Sequence, residues 1–387
     1  MNILHLSNDF SGSTVYMNMF LHLDKLGLTQ NIYNPIKEKS RVGKNRIDLL
    51  THGSSIIYSC VLNKSLDRIL YRRKINKIVN DIEAKVDLTK IDLIHAHTWF
   101  SDGGCAYMLH EKYGTPYVVA IRNTDLNVFY KYLPHERAFG WKILSKASRI
   151  ILISASYHTR LLKLVANPAR FNIASKIEVI PNGVDDFWIK NAKPYRIKEI
   201  DGTFNLLYVG KFNRSKNVVA LQEAVIKLNR EYDINRRGNR FLLHIVGDGG
   251  DRMKPVLENI RKYPRIFQYY GPVFEKKKLM EIYEKCHAFT MPSKKETFGL
   301  VYVEALLQGL PILYTRGEGI DGFYDDQIGE AVQKSDPEQI KDRLTKIRQD
   351  FDKYYIDTDL VSKTHCWSRL AKQYFDLYAE CCAGYRN

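Results

Sequence analysis

Two doubly wound α/β domains are the fold that this 387-residue chain predicts. Three observations carry the prediction. Short apolar, β-rich runs recur along the chain with helical stretches between them, the pattern of βαβ units and of parallel sheets covered on both faces. The runs fall into two series. Between the series lies PNGVDDFWIKNAKPYR (181–196), where turn residues cluster and the apolar periodicity lapses.

The first series opens with NILHL (2–6), a short buried strand that runs into a polar loop holding Gly12. DLIHAH (92–97), PYVVAI (116–121), RIILIS (149–154) and IEVIP (177–181) continue it. Within residues 65–82, Leu66, Ile69, Leu70, Ile75, Ile78 and Ile82 fall near helical spacing, with Arg68, Arg72, Arg73, Lys74 and Lys77 among them. Such a basic amphipathic helix either lies on an anionic membrane or turns its apolar stripe to the core. The second series is FNLLYVG (204–210), FLLHIVG (241–247), FQYYG (267–271), AFTMPS (288–293) and PILYT (311–315).

Composition narrows the class. A hydrophobic content of 45% supplies two cores and argues against disorder. No apolar run reaches the roughly 18 residues that a membrane span needs. MNILHLSNDFSGS lacks the basic start and long apolar stretch of a signal peptide, and the six cysteines show no metal-ligand spacing. Reduced thiols in a cytoplasm are the expectation. The net charge of +16 calls for an anionic partner. Nucleic acid is disfavoured, because there is no zinc-finger spacing, no RNA-recognition motif and no basic tail.

Open parallel sheets bind ligands beyond the carboxyl ends of their strands. There FNLLYVG is followed by Lys211, Arg214 and Lys216 ahead of a helix, and FLLHIVG by further glycines. Glycine admits backbone to a ligand and a helix N-terminus favours phosphate, so the two loops point to a phosphate-bearing ligand. Plain strand-to-helix turns with solvated lysines are the alternative. After AFTMPS, Glu296 lies in a loop, and Thr297 to Leu300 turn into a helix that stops near Gly309. Glu304 sits inside that apolar helix, where an unpaired carboxylate is costly. The vicinal hydroxyls of a ribose would supply two donors; a structural ion pair for Glu304 and a capping role for Glu296 are the alternative.

Four segments, in this order, resemble the retaining, nucleotide-sugar-dependent glycosyltransferases of family four: IEVIPNGVD (177–185), YVGKFNRSKN (208–217), YYGPV (269–273) and the Glu-x7-Glu stretch MPSKKETFGLVYVEALLQGLPIL (291–313). The resemblance covers nearly the whole chain. It implies the GT-B fold, with two Rossmann-like domains facing a central cleft. Residues 1–182 would bind the acceptor and 195–364 the nucleotide sugar, with 183–194 as linker. A last helix over 365–387 would cross back to the first domain. By the same resemblance Lys211 and Lys216 hold the donor diphosphate and stabilise its developing charge. Glu304 accepts the ribose hydroxyls and Glu296 lies near the donor sugar. The amides of Phe298, Gly299 and Leu300 approach sugar hydroxyls and phosphates, and backbone around Val273 reads the base. Gly12 brings backbone close to the diphosphate and acceptor.

Two positions depart from the family. Lys211 stands where arginine is common, keeping the charge without the two-pronged geometry. Arg122, in VVAIRNTDLN (118–127), stands where relatives often place a sugar-contacting histidine, while Asp125 is retained and, with Gly12 and Arg122, would serve the acceptor side or the sugar. A guanidinium cannot act as a base, so its role would be electrostatic or in binding. His95 and His97 are nearby alternatives, unless they are structural.

The implied reaction is a front-face, retaining hexosyl transfer in which the leaving diphosphate takes the acceptor's proton. No metal or other cofactor is expected, since lysines replace the cation. The acceptor would be a glycan or lipid-linked glycan of a bacterial surface polysaccharide, and the enzyme cytoplasmic, in peripheral contact with an anionic membrane. A GT-B nucleotide-sugar epimerase and a non-catalytic nucleotide-sugar-binding protein are the alternatives.

Overall fold

The computed structural model describes residues 1–63, 67, 70–164, 173–194, 198–234, 240–324, 326–333 and 336–386. Ser65, Leu66, Arg68 and Ile69 of the basic segment, Tyr195 at the expected start of the second domain, and Asn387 lie outside the described residues. The chain divides into two compact units. Met1–Ile153, His158–Gly183 and Trp367–Asn387 form the first, and Ser154–Tyr157 and Val184–Cys366 form the second.

The first unit is built on a seven-stranded parallel sheet of order β3-β2-β1-β4-β5-β6-β7. Its strands are β1 (Asn2–Leu6), β2 (Thr29–Pro35), β3 (Ser55–Ser59), β4 (Leu93–Ala96), β5 (Tyr117–Ile121), β6 (Arg149–Leu152) and β7 (Ile177–Val179). Every residue of β4 and β5 is buried, as a central parallel strand covered on both faces requires. The helices Thr14–Asp24 and Trp367–Arg386 share a core with the sheet, in which Ile3, Phe20, Val118 and Ile151 pack with Trp367, Tyr374 and Tyr378. Gly183 is pressed against that helix: a Cβ there would lie 2.5 Å from the Trp367 ring. The last helix starts at Trp367 rather than at 365, because Cys366 is extended and bridges Val184.

The second unit carries a six-stranded parallel sheet of order β10-β9-β8-β11-β12-β13. Its strands are β8 (Thr203–Val209), β9 (Arg240–Val246), β10 (Phe267–Gly271), β11 (Ala288–Thr290), β12 (Ile312–Thr315) and β13 (Gly329–Val332). Parallel neighbours need crossovers, and helices such as Val218–Ile234 and Leu300–Leu307 supply them. The strand order reverses between β8 and β11.

Among the described residues, the basic segment forms a helix over Tyr71–Lys85. Tyr71, Ile75, Ile78, Val79 and Ile82 are buried, and the Tyr71 hydroxyl donates to the Phe100 carbonyl at 2.7 Å. Over Tyr71–Lys85 the apolar stripe therefore faces the core, while Leu70, just before it, is exposed. Arg72 pairs with Glu136 at 2.8 Å and lies 3.5 Å over the Phe139 ring, and Lys74 donates to Ser101 Oγ at 2.8 Å. Arg73 stays exposed. No helix among the described residues is long and apolar enough to cross a membrane.

Candidate functional site

The loops after β8 and β11 flank the point where the strand order reverses, the place at which open α/β sheets bind ligands. Gly247, at the end of β9, has φ of 138°, and a Cβ there would come 2.0 Å from the Gly210 carbonyl oxygen. Only glycine lets the two loops pass so closely. Lys211 is exposed, with its carbonyl accepting from the Tyr208 hydroxyl at 2.9 Å. Lys216 ends the turn before the helix Val218–Ile234, and its Nζ pairs with the Glu296 carboxylate.

Glu296 is 8% exposed and held from several sides. Its Oε1 accepts from the Thr297 amide at 3.1 Å, and its own amide donates to the Glu318 carboxylate at 2.8 Å. Its carbonyl accepts from the Gly319 amide at 3.1 Å and the Tyr157 hydroxyl at 3.2 Å. These bonds fix the loop, so the carboxylate that meets Lys216 is preorganised.

Gly299, at φ 81°, opens the helix Leu300–Leu307, and a Cβ there would strike the Tyr302 ring at 2.6 Å. No side chain caps this helix; the Tyr302 amide donates to the Gly299 carbonyl at 2.9 Å, and the helix start offers its remaining first-turn amides to an acceptor. Phe298 buries its ring against Phe323 and His365, at centroid distances of 5.6 and 5.4 Å. Within the helix, Glu304 accepts from the Tyr283 hydroxyl at 3.3 Å. Burial pushes the Glu304 pKa up to about 7; Tyr283 opposes the shift, the charge of Asp185 adds to it, and Lys276 opposes it. Val273 lies half-buried in the loop after β10.

In the first unit, Gly12 closes a turn after β1, its amide donating to the Asp9 carbonyl at 2.9 Å. A Cβ at Gly12 would meet the Asp9 carboxylate at 2.2 Å. Arg122 follows β5, half-buried, with Nε donating to the His97 carbonyl at 3.1 Å and a terminal nitrogen to Asn182 at 3.4 Å. Asp125 needs correction as a substrate-facing residue. It is fully buried, and its carboxylate accepts from the amides of Trp99, Phe100 and Arg122 at 3.0, 3.1 and 2.8 Å. It ties the loops after β4 and β5 together, with burial pushing its pKa up to about 6 against those bonds.

His95 and His97 are also wholly buried, so neither can reach an acceptor. His97 Nε2 lies 3.2 Å from His5 Nδ1, and His95 Nδ1 lies 2.6 Å from the Tyr378 hydroxyl. Burial holds all three rings neutral. Their nitrogens lie within 4.8 Å of one another, the one group so spaced among the described residues. The three rings are wholly buried and the Arg122 charge faces His95 and His97, which disfavours a dication there.

Sequence reasoning missed Tyr157, Tyr283 and Glu318. Each reaches the site through folding, from 139, 21 and 22 residues away from its partner, and no local pattern marks it.

Residues 42–186 match the Glycosyltransferase Family 4 domain, and residues 191–355 match the domain described as Glycosyl transferases group 1. With the two parallel sheets and the glycosyltransferase relatives, these define the class: the chain belongs to the family-four glycosyltransferases of GT-B fold. An uncharacterized glycosyltransferase of Methanocaldococcus jannaschii is 23% identical over 83% of this chain and 84% of its own. A D-inositol 3-phosphate glycosyltransferase of Nocardiopsis dassonvillei is 24% identical over 78% and 73%. The alpha-monoglucosyldiacylglycerol synthase of Acholeplasma laidlawii is 24% identical over 68% of this chain and of its own. Among solved structures, sucrose-phosphate synthase from Thermosynechococcus elongatus superposes with a TM-score of 0.75 at 18% identity, over 99% of this chain and all of its own. Anabaena HepE, in complex with UDP-glucose, gives 0.68 at 15% identity, over 98% and 100%. The protein is thus a glycosyltransferase.

Proposed function

We propose that this enzyme transfers a hexose, with retention of configuration, from a nucleotide-diphosphate sugar bound by the second unit. The observation that carries the reading is the convergence of Lys211, Lys216, Glu296 and the uncapped helix start at Gly299 on loops beyond β8 and β11. Lys211 and Lys216 offer positive charge to a departing diphosphate, Glu304 offers a carboxylate to ribose hydroxyls, and backbone near Val273 meets the base. Glu296 and the amides of Phe298, Gly299 and Leu300 contact the sugar and phosphates. The leaving diphosphate accepts the acceptor's proton, which calls for no enzymic nucleophile and no metal. Gly12 and Arg122 serve the acceptor side, Arg122 by charge.

The acceptor is a glycan or lipid-linked glycan of a bacterial surface polysaccharide, elongated on the cytoplasmic face of the membrane. Contact with that face is electrostatic and draws on exposed cations such as Arg73, since the apolar stripe of the nearby helix is buried. A thermal-unfolding screen against nucleotide sugars tests the donor reading. A donor at 100 times its Kd adds about 2.7 kcal/mol of stability. A panel of uridine, guanosine, adenosine and thymidine diphosphate sugars that leaves the melting temperature unchanged would refute it.

A further inference from the structure

We propose that Tyr283 is a positioning residue of the nucleotide site, holding the Glu304 carboxylate in the orientation that accepts the ribose hydroxyls of the donor. The proposal rests on the donor reading above and names the group that makes Glu304 competent.

Tyr283 lies in the helix Lys276–Glu284 and is wholly buried. Trp188 meets its ring edge-on at 5.5 Å between centroids, and Phe289 stacks on it at 6.2 Å. The ring is therefore fixed and the hydroxyl has a set position. That hydroxyl lies 3.3 Å from Glu304 Oε2 and 3.4 Å from the Val301 carbonyl oxygen. It has one proton to give and lone pairs to receive, so these two neighbours define two arrangements.

With Glu304 ionised, the phenol donates to Oε2. With Glu304 protonated, the carboxyl donates to the phenol oxygen, and the phenol donates to the Val301 carbonyl. Both arrangements satisfy the buried phenol and the half-buried carboxylate, which is how a carboxylate is accommodated in an otherwise apolar helix. The other charges that face Glu304 are Lys276 and Asp185, paired with each other at 2.5 Å and opposite in effect. Vicinal hydroxyls donate well to a carboxylate and poorly to a carboxylic acid, so ribose selects the ionised arrangement. Tyr283 then braces one carboxylate oxygen while the other meets the sugar. Phenylalanine at 283 keeps the ring and its packing but removes the brace.

The test is calorimetric titration of the full chain with UDP and GDP and with their 2′-deoxy forms, from pH 6 to 8.5. Wild-type protein should prefer the ribose form, and the preference should grow as pH rises through about 7, where Glu304 ionises. Tyr283→Phe should weaken the ribose form about tenfold, affect the 2′-deoxy form less and move the midpoint upward, as loss of a hydrogen bond to a charged group predicts. Glu304→Gln should abolish the preference and its pH dependence. A folded Tyr283→Phe protein with wild-type affinity and midpoint overturns the proposal. A measurement that needs no change at 283 is proton release at pH 6.5. Wild-type binding should release most of one proton more than Glu304→Gln does, and equal release would also overturn the proposal. If Glu304→Gln and wild type bind both nucleotides alike, the donor reading itself fails, and the proposal falls with it.

Discussion

Replacing Lys216 with alanine separates a structural cost from a catalytic one. Lys216 and Glu296 form an ion pair with side chains 24% and 10% exposed, between the limits of a surface pair and a buried one. Surface pairs contribute about 0.2–1 kcal/mol, whereas stripping one partner from a fully buried pair costs about 3–5 kcal/mol. The Lys216→Ala variant should therefore lose about 1–2 kcal/mol, or roughly 3–6 °C in melting temperature for a unit of this size. The Thr297 amide still bonds the Glu296 carboxylate, and the Glu318, Gly319 and Tyr157 contacts still hold its backbone, so the fold survives. Turnover should suffer far more. A preorganised charge aimed at a leaving group is worth about 10²- to 10³-fold in kcat. The assay is donor consumption at saturating nucleotide sugar, beside a melting curve of the same sample. A folded variant with unchanged kcat would remove Lys216 from the diphosphate site and refute the reasoning.

The buried histidines predict acid sensitivity in the first unit. Burial lowers the His5 pKa to about 3 and those of His95 and His97 well below 6.5. A base depressed on folding contributes its stability in full above about pH 6.5 and loses it as pH falls. His5 alone should cost about 2 kcal/mol by pH 5, and urea midpoints that do not fall between pH 7.5 and 5 would contradict the buried, neutral assignment. For membrane contact, Arg73→Ser with Lys77→Ser should reduce sedimentation with anionic vesicles at low salt, whereas Arg72→Ser should chiefly destabilise, because it leaves buried Glu136 without its cation. Wild-type protein that ignores anionic vesicles would sink the peripheral reading.

The strands that read most clearly from sequence are the central ones. β4, β5, β8 and β9 are near-continuous apolar runs because both faces are covered. β2, β3 and β13 escaped the reading. In β2, Gln30 and Asn34 are buried, and each donates its side-chain amide to a backbone carbonyl, of Phe20 at 3.0 Å and of Ser7 at 2.6 Å, which no periodicity signals. β13 is four residues long and buries Glu330, which is paired with Tyr354, Arg343 and Lys346. The candidate site was legible where its residues are local in sequence: Lys211 to Lys216, and Glu296 to Glu304. The contacts that orient them come from distant segments. The basic helix shows the same limit, since periodicity reveals a stripe and tertiary packing decides what covers it. The resemblance put Asp125 on the acceptor or sugar side, and only three converging amides revealed it as a structural tie.

The central claim is retaining transfer from a nucleotide sugar without a metal. Proton NMR of the reaction with an α-linked nucleotide sugar, in EDTA, tests it most directly. The account predicts that the donor is consumed and that the sugar's first-formed product shows the α anomeric signal. A β product, or consumption that stops when the chelator is added, would contradict it.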